Sequence, residues 1–335
     1  MGLLVSKLAQ RRRKFQEQND ALVRRVVEGF QFQALWLRSR LQVVKDVRQH
    51  LLALVRNEAA DVRVPMSVDL LTQDSAKIIK ARQQGIGIQN VLYLAPALSG
   101  GFGLNVCTGA TVACFLLCLS EAGKNGLSDS RNARRWRTLL LMTRPDLFGA
   151  LLALDMRRAV QQGRKHGLPV SFRLDGTSDL GLGSAISQFL EEERGTRANP
   201  PAFGGDYDGI FYDYTAIPSR LQQYPGSWCH LTLSYKGTNA GALRKWFDTE
   251  HRNRGCAAVV YVNPEGGKVD PLPKVDTIGG VTLPVSNFDV NDARYLDSFN
   301  SFGALQFKHP IGMPQLQRER GFAAGLKSGF LRVVR

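Results

Sequence analysis

Three of the five cysteines in the 335-residue chain fall within twelve residues, inside NVCTGATVACFLLCLSEAGKNG at positions 105–126. Cys107, Cys114 and Cys118 are spaced C-x6-C-x3-C. A helix over 115–121 would put Cys114 and Cys118 four apart on one face, with Cys107 approaching from the loop before it. Three thiolates suit zinc or an iron–sulfur cluster and leave one coordination position open. The same segment is apolar, and free cysteine is among the most buried residue types. Metal site and packed thiols are therefore both carried forward. Cys229 and Cys256 each open a later apolar run and read as core.

Other segments could also do chemistry. RLDGTSD sets Asp175 and Asp179 around a glycine-containing bend. Two carboxylates there could bind a divalent metal or act as acid and base, and Asp with Gly is equally the ordinary chemistry of a turn. FYDYT puts Tyr212 and Tyr214 on one face of a strand. Paired tyrosines suggest a nicking nucleophile, but no two of the five histidines are separated by one residue, the pairing such an enzyme uses for its metal. RNARRWRT gathers Arg131, Arg134, Arg135 and Arg137 around Trp136, a pattern that could stack and neutralise a nucleic acid strand. Arg11, Arg12 and Arg13 form a basic run near the start, and Lys236 follows a later strand.

The overall charge supports that partner. Lys and Arg number 44 against 29 Asp and Glu, a formal +15. Residues 1–63 contribute net +7 and residues 308–335 net +5, so the body between is nearly neutral. Basic ends of this kind attract polyanions, of which nucleic acid is the commonest, with DNA ranked ahead of RNA. The longest apolar run, Ala110 to Leu119, is about half of what a membrane span needs. No secretory signal is visible. An odd number of cysteines argues for a reducing compartment.

These residues need elements to hold them. Residues 7–60 contain one glycine and no proline, with apolar stripes at helical spacing, and read as two helices turning near 29–33. From residue 90 the pattern alternates. Short apolar runs at 92–97, 169–179, 209–215, 229–235 and 256–262 alternate with helical stretches at 134–165, 185–194, 217–223 and 241–252. TIGGVTLPV and GALQFK could add strands. Repeated strand and helix means right-handed crossovers and a mostly parallel α/β sheet. A (β/α) barrel, complete or incomplete, fits better than an open doubly wound sheet, because neither a dinucleotide fingerprint nor a phosphate-binding P-loop is present. The expected layout is a basic helical extension at 1–63, the barrel-like domain at 64–322 and a basic tail at 323–335. In such barrels the chemistry lies where strands end, which selects the cysteine loop, Asp175, Asp179 and Tyr214.

The order LYLAP…SG…NVC…AT..C…CL, then SFRLDGTSDL, FYDYT, HLTLSY and AAVVYV, resembles the phage gene product 88 family from about Ser75 to Phe322. The resemblance implies a phage origin, a host-cytoplasmic setting and a radical-SAM-like barrel. In such barrels the cluster sits after the first strand, where Cys107, Cys114 and Cys118 lie, with S-adenosylmethionine as a further cofactor. It implies no established activity. The expectation is a nucleic-acid-associated protein of phage genome replication or processing, working beside phage or host replication proteins and not at a membrane. The alternatives are a non-catalytic binding factor and a nicking endonuclease.

Overall fold

The computed structural model describes residues 2–36, 38–57, 59, 61–118, 127–195, 206–217, 219–220, 229–247, 255–263, 268–308 and 315–334. Its centre is a ten-stranded, mostly parallel sheet. Strands β2 (Ile88–Leu92), β3 (Val170–Arg173), β4 (Ile210–Thr215), β5 (Cys229–Ser234) and β6 (Ala257–Val262) lie side by side in chain order, each parallel to the last. The short β1 (Leu71–Thr72) adds antiparallel at one end. At the other end β9 (Phe302–Gln306) pairs with β6, and the hairpin of β7 (Val275–Ile278) and β8 (Val281–Asn287) follows it. Among the described residues the ladder does not close, and β1 and β7 remain its ends.

Alternation along the strands separates two faces. Phe172, Phe211, Leu233, Val259 and Phe302 belong to the main apolar core. Helices α6 (Pro145–His166) and α7 (Leu182–Gly195) cover that face. From Leu147 to Met156 helix α6 is buried nearly all round, as expected of a segment covered on both sides. Its outer side is covered by α1 (Gly2–Trp36), and α2 (Arg40–Asn57) and α5 (Ser128–Thr143) pack beside it.

The turn expected near 29–33 is not there, because α1 runs unbroken through Gly29 to Trp36. Gly29 serves packing instead. A Cβ at 29 would lie 2.2 Å from the carbonyl oxygen of Asp146, and one at Gly149 would lie 2.1 Å from that of Val26. The two backbones touch at this crossing. Phe30 fits beneath it, fully buried, with its ring 5.1 Å from that of Tyr207. Polar contacts tie down α2: Arg40 reaches Asp69 at 2.5 Å and the buried Asp155 of α6 at 3.3 Å. Burial is the chief influence on Asp155 and raises its pKa. The two N-terminal helices thus share the core of the sheet domain.

The opposite face carries Ser171, Arg173, Tyr212, Tyr214 and Thr232, and a strap at 288–301 lies along it. Asp292 of the strap pairs with Arg173 at 3.1 Å, and Tyr295 stacks edge-on to Tyr212 at 5.5 Å. Phe288 at its start needs the absent side chain of Gly303, whose Cβ would fall 2.0 Å from the ring.

The C-terminal segment is also part of the fold. Helix α9 (Gln315–Ser328) sets Gly321 and Gly325 against Leu117 and Leu331. Strand β10 (Leu331–Val333) pairs with Val260–Val262, while β5 pairs with Ala257 and Ala258 and β9 takes the other side. β5 and β10 therefore share one edge of β6. Among the described residues no helix is long and apolar enough to cross a membrane.

Two glycine substitutions should act in opposite directions. We expect Gly149→Ala to lose about 2 kcal/mol or more, because the added carbon collides with backbone that side-chain motion cannot relieve. Gly241, in helix α8 (Ala240–Phe247), has open space around it, and Gly241→Ala should gain about 0.5 kcal/mol. Urea denaturation of the two variants beside the parent chain measures both.

Candidate functional site

The loops after β2, β4 and β5 meet at the C-terminal edge of the parallel strands. The loop after β3 anchors them. The N–H of Asp179 donates to the carbonyl of Val106 at 2.8 Å, and the Thr177 hydroxyl to that of Leu94 at 2.6 Å. The Cys107 thiol donates to Thr177 O at 3.4 Å. Helix α1 reaches the same edge, where Asn19 donates to the Asn105 carbonyl at 2.9 Å and Thr108 to the Gln16 side chain at 2.8 Å.

Between α1 and the strand ends lies a cleft of about 400 Å³. Arg12 and Arg13 line it from α1, Lys236 from the end of β5, and Thr108, Thr111 and Thr238 from the loops. Among the described residues, no carboxylate, imidazole or aromatic ring lines it. Asn239 shapes the Lys236 side, accepting the Lys236 N–H at 2.8 Å and donating to the Ser234 carbonyl at 2.9 Å. Of the expected contact residues, then, Arg12, Arg13 and Lys236 converge, although 223 positions separate Arg13 from Lys236. Arg11 is exposed on α1 and is not among the lining residues. Gln16, Thr108, Thr111 and Thr238 were missed from sequence. Thr108 and Thr111 sit inside the cysteine segment, where the strand-end rule pointed, but nothing in sequence shows α1 folding over it.

Burial makes Lys236 harder to charge, but the Cys114 sulfur at 3.4 Å from its Nζ outweighs this and holds the ammonium above its usual range. Cys114 is in α4 (Val112–Leu116), capped by the Thr111 hydroxyl accepting the Cys114 N–H at 3.1 Å. That helix ends before Cys118, so the shared helical face expected for Cys114 and Cys118 does not form. Burial pushes the Cys107 thiol well up. Among the described residues no three His, Cys, Asp or Glu side chains are gathered closely enough to hold a metal ion. A cluster on Cys107, Cys114 and Cys118 does not fit this arrangement of the segment.

The two aspartates are engaged by the fold's own donors. Asp175 accepts from Ser178 Oγ at 2.6 Å and from the N–H groups of Leu180, Gly181 and Leu182 at 2.9, 2.7 and 2.9 Å. It caps the start of α7 and satisfies donors the helix cannot satisfy itself. Asp179 accepts from Thr215 Oγ1 and the Ala216 N–H, each at 2.9 Å, and pairs with Arg220 at 2.6 Å. Burial raises the pKa of Asp179. Local turn and cap contacts account for Asp175, and Asp179 is held by the segment after β4.

Tyr212 is fully buried under the strap, and its hydroxyl has no hydrogen-bond partner among the described residues. Tyr214 lies beneath the Arg173 guanidinium, 4.5 Å from the ring centre. Burial first, and Asp292 second for Tyr212, pushes the Tyr212 phenol well up, and burial raises that of Tyr214. Neither lines the cleft, and an attacking phenolate needs the opposite shift.

The arginine patch of α5 points mostly inward. Trp136 and Arg134 are buried. Arg137 is buried as well, and donates through Nε and Nη2 to the Asp69 carbonyl at 3.1 and 2.8 Å. Desolvation brings it down to about 10. Arg135 pairs with Asp61 at 2.6 Å and lies over Phe102. Arg131 remains half-buried.

A family model described as gene product 88 matches residues 69–331. No curated protein and no solved structure matches the chain.

Asp213, on β4, is the neighbour of these carboxylates that sequence analysis passed over. Its Oδ1 accepts the Asp175 N–H at 2.9 Å, and its Oδ2 has no partner among the described residues. Burial, then Asp175, pushes its carboxyl well above the usual value of 3.8. Folding therefore takes up a proton here. The stability this supplies is present in acid and is lost as pH rises through the raised value. Asp213→Asn keeps the accepting oxygen and cannot ionise. We expect its denaturation midpoint to vary less than the parent's between about pH 4 and 8, and to equal or exceed it near pH 7. A steeper fall with rising pH in the variant would show that Asp213 is not held neutral.

Proposed function

The chain belongs to the gene product 88 family, a phage-type family, and from that premise and its basic cleft we propose that it associates with nucleic acid in phage genome replication or processing. The observation that carries this is the lining of the cleft. Among the described residues, three cations and three hydroxyls converge there, with no carboxylate in the lining itself. Arg13 is shared with Glu17 at 3.0 Å, and the set offers donors to phosphate oxygens. The formal +15 adds long-range attraction to any polyanion. DNA, in the host cytoplasm and near the replication machinery, is the first partner to test.

The architecture we propose is an incomplete (β/α) barrel, supported by five consecutive parallel strands with crossover helices. The strap fills the face that would be its lumen. This moves the working surface to the rim. A lining whose described residues are cations and hydroxyls supports a binding factor ahead of a catalyst.

A second reading keeps a metal or iron–sulfur cluster on Cys107, Cys114 and Cys118. It is favoured by Cys107 and Cys114 lying at the same edge of the sheet, and it requires the segment to rearrange. Iron, zinc and sulfide assays on anaerobically purified protein decide it, with stoichiometric metal expected only if that reading holds.

The main test is fluorescence polarisation with labelled DNA and RNA, single- and double-stranded, over a salt series. We expect affinity to fall steeply with salt. The double variant Arg12→Ala, Arg13→Ala should bind about tenfold more weakly while remaining folded, since both side chains are exposed. Binding that ignores both salt and these substitutions would overturn the proposal.

A further inference from the structure

We infer that the cleft holds single-stranded nucleic acid by its phosphate backbone, without reading the bases; the inference rests on the nucleic-acid reading above and names which form enters. Three features of the cleft lead there. The first is size. The cleft encloses only about 400 Å³ between α1 and the strand ends. One strand can pass between such walls. A duplex can only rest against the opening.

The second feature is that the roof is fixed. Helix α1 is held on the cleft loop through Asn19 and Gln16. About three turns further on, its backbone meets that of α6 at Gly29 and Gly149, with no room for a Cβ. Lifting the roof to admit a duplex would break the buried crossing around Val26 and Phe30. The cations are also divided between walls, with Arg12 and Arg13 on the roof and Lys236 on the strand end. Phosphates lying between them are neutralised from both sides.

The third feature is the chemistry of the lining. Sequence-tolerant single-strand sites usually stack bases on aromatic rings, and the described residues of this lining include none. Its hydroxyls and ammonium and guanidinium groups match phosphate oxygens, which carry no sequence information. Binding should therefore be close to uniform across base composition. Three cations set its salt dependence, at about 0.7 per phosphate neutralised on a single strand. The slope of log affinity against log salt should be about −2.

The experiment uses the full chain and four probes: a labelled oligo-dT, an oligo-dA of equal length, a blunt duplex of that length, and a mononucleotide as competitor. We expect the two single strands to agree within about threefold, the duplex to bind at least about tenfold more weakly, and the slope to be about −2. Arg12→Ala should reduce the slope by about 0.7. It sits on an exposed helix surface where alanine is well tolerated. Lys236→Ala should do the same, and circular dichroism separates its effect from misfolding.

A duplex that binds as well as the single strands would overturn the inference while leaving nucleic-acid association intact. So would a tenfold preference between the two homopolymers. A mononucleotide that competes as well as an oligonucleotide would assign the cleft to a small phosphate ester instead. Absence of salt-dependent binding to every probe would remove both the inference and the reading beneath it.

Discussion

The close crossing of α1 and α6 is the constraint on which the rest of the molecule depends. With no side chain at Gly29 or Gly149, the two backbones come into contact, and this fixes the height and direction of a helix of 35 residues. At about 1.5 Å per residue, Arg12 lies roughly 25 Å along the axis from Gly29. A small change of angle at the crossing would carry the arginines away from Lys236. The hydrogen bonds from Asn19 and Gln16 hold the free part of that lever. The basic edge of the cleft thus depends on two glycines far from it.

A second organising theme is the use of buried carboxylates to shape loops. Asp175 gathers four donors at the start of α7, and Asp179 joins the end of β3 to the segment after β4. These bonds set where the loop carrying Thr108 and Thr111 lies, through the Asp179 N–H to Val106. Asp213 sits under them with one oxygen unpartnered among the described residues. The local charge is tolerated because burial favours the neutral acid. The groups that looked most chemical in the sequence are largely the framework of the mouth.

Much of the fold was legible, and the failures have physical causes. β4, β5 and β6 announce themselves as apolar runs bounded by turns, and all three form within a residue or two of expectation. β2 was expected at 92–97 and forms at Ile88–Leu92. Its Gln89 and Asn90 are polar yet fully buried, so no apolar run marks it. Gly29 was read as a turn because a glycine signals either a bend or a close approach, and only the partner helix distinguishes them. The arginines of α5 read as a solvent-facing patch. Their inward direction depends on the Asp69 carbonyl, 68 residues from Arg137. Of the cleft, the strand-end rule found the loop, and the basic runs found Arg12, Arg13 and Lys236. Their meeting is tertiary and left no local sign. The strap has no periodicity at all and was invisible.

A sheet that stops short of closure leaves two rows of unpaired backbone groups, and each is a template on which another chain could add. Here both outer strands are brief: β1 has two residues and β7 four. On β7 the Asp276 carboxylate is held by Arg332 at 2.6 Å and by the Tyr261 hydroxyl at 3.0 Å. Pro284 stands next inward on β8, opposite Val275, and cannot donate a ladder hydrogen bond. A passing segment finds too short a run on either edge to build a stable ladder. Among the described residues, short strands at both edges thereby guard the sheet against edge-to-edge pairing.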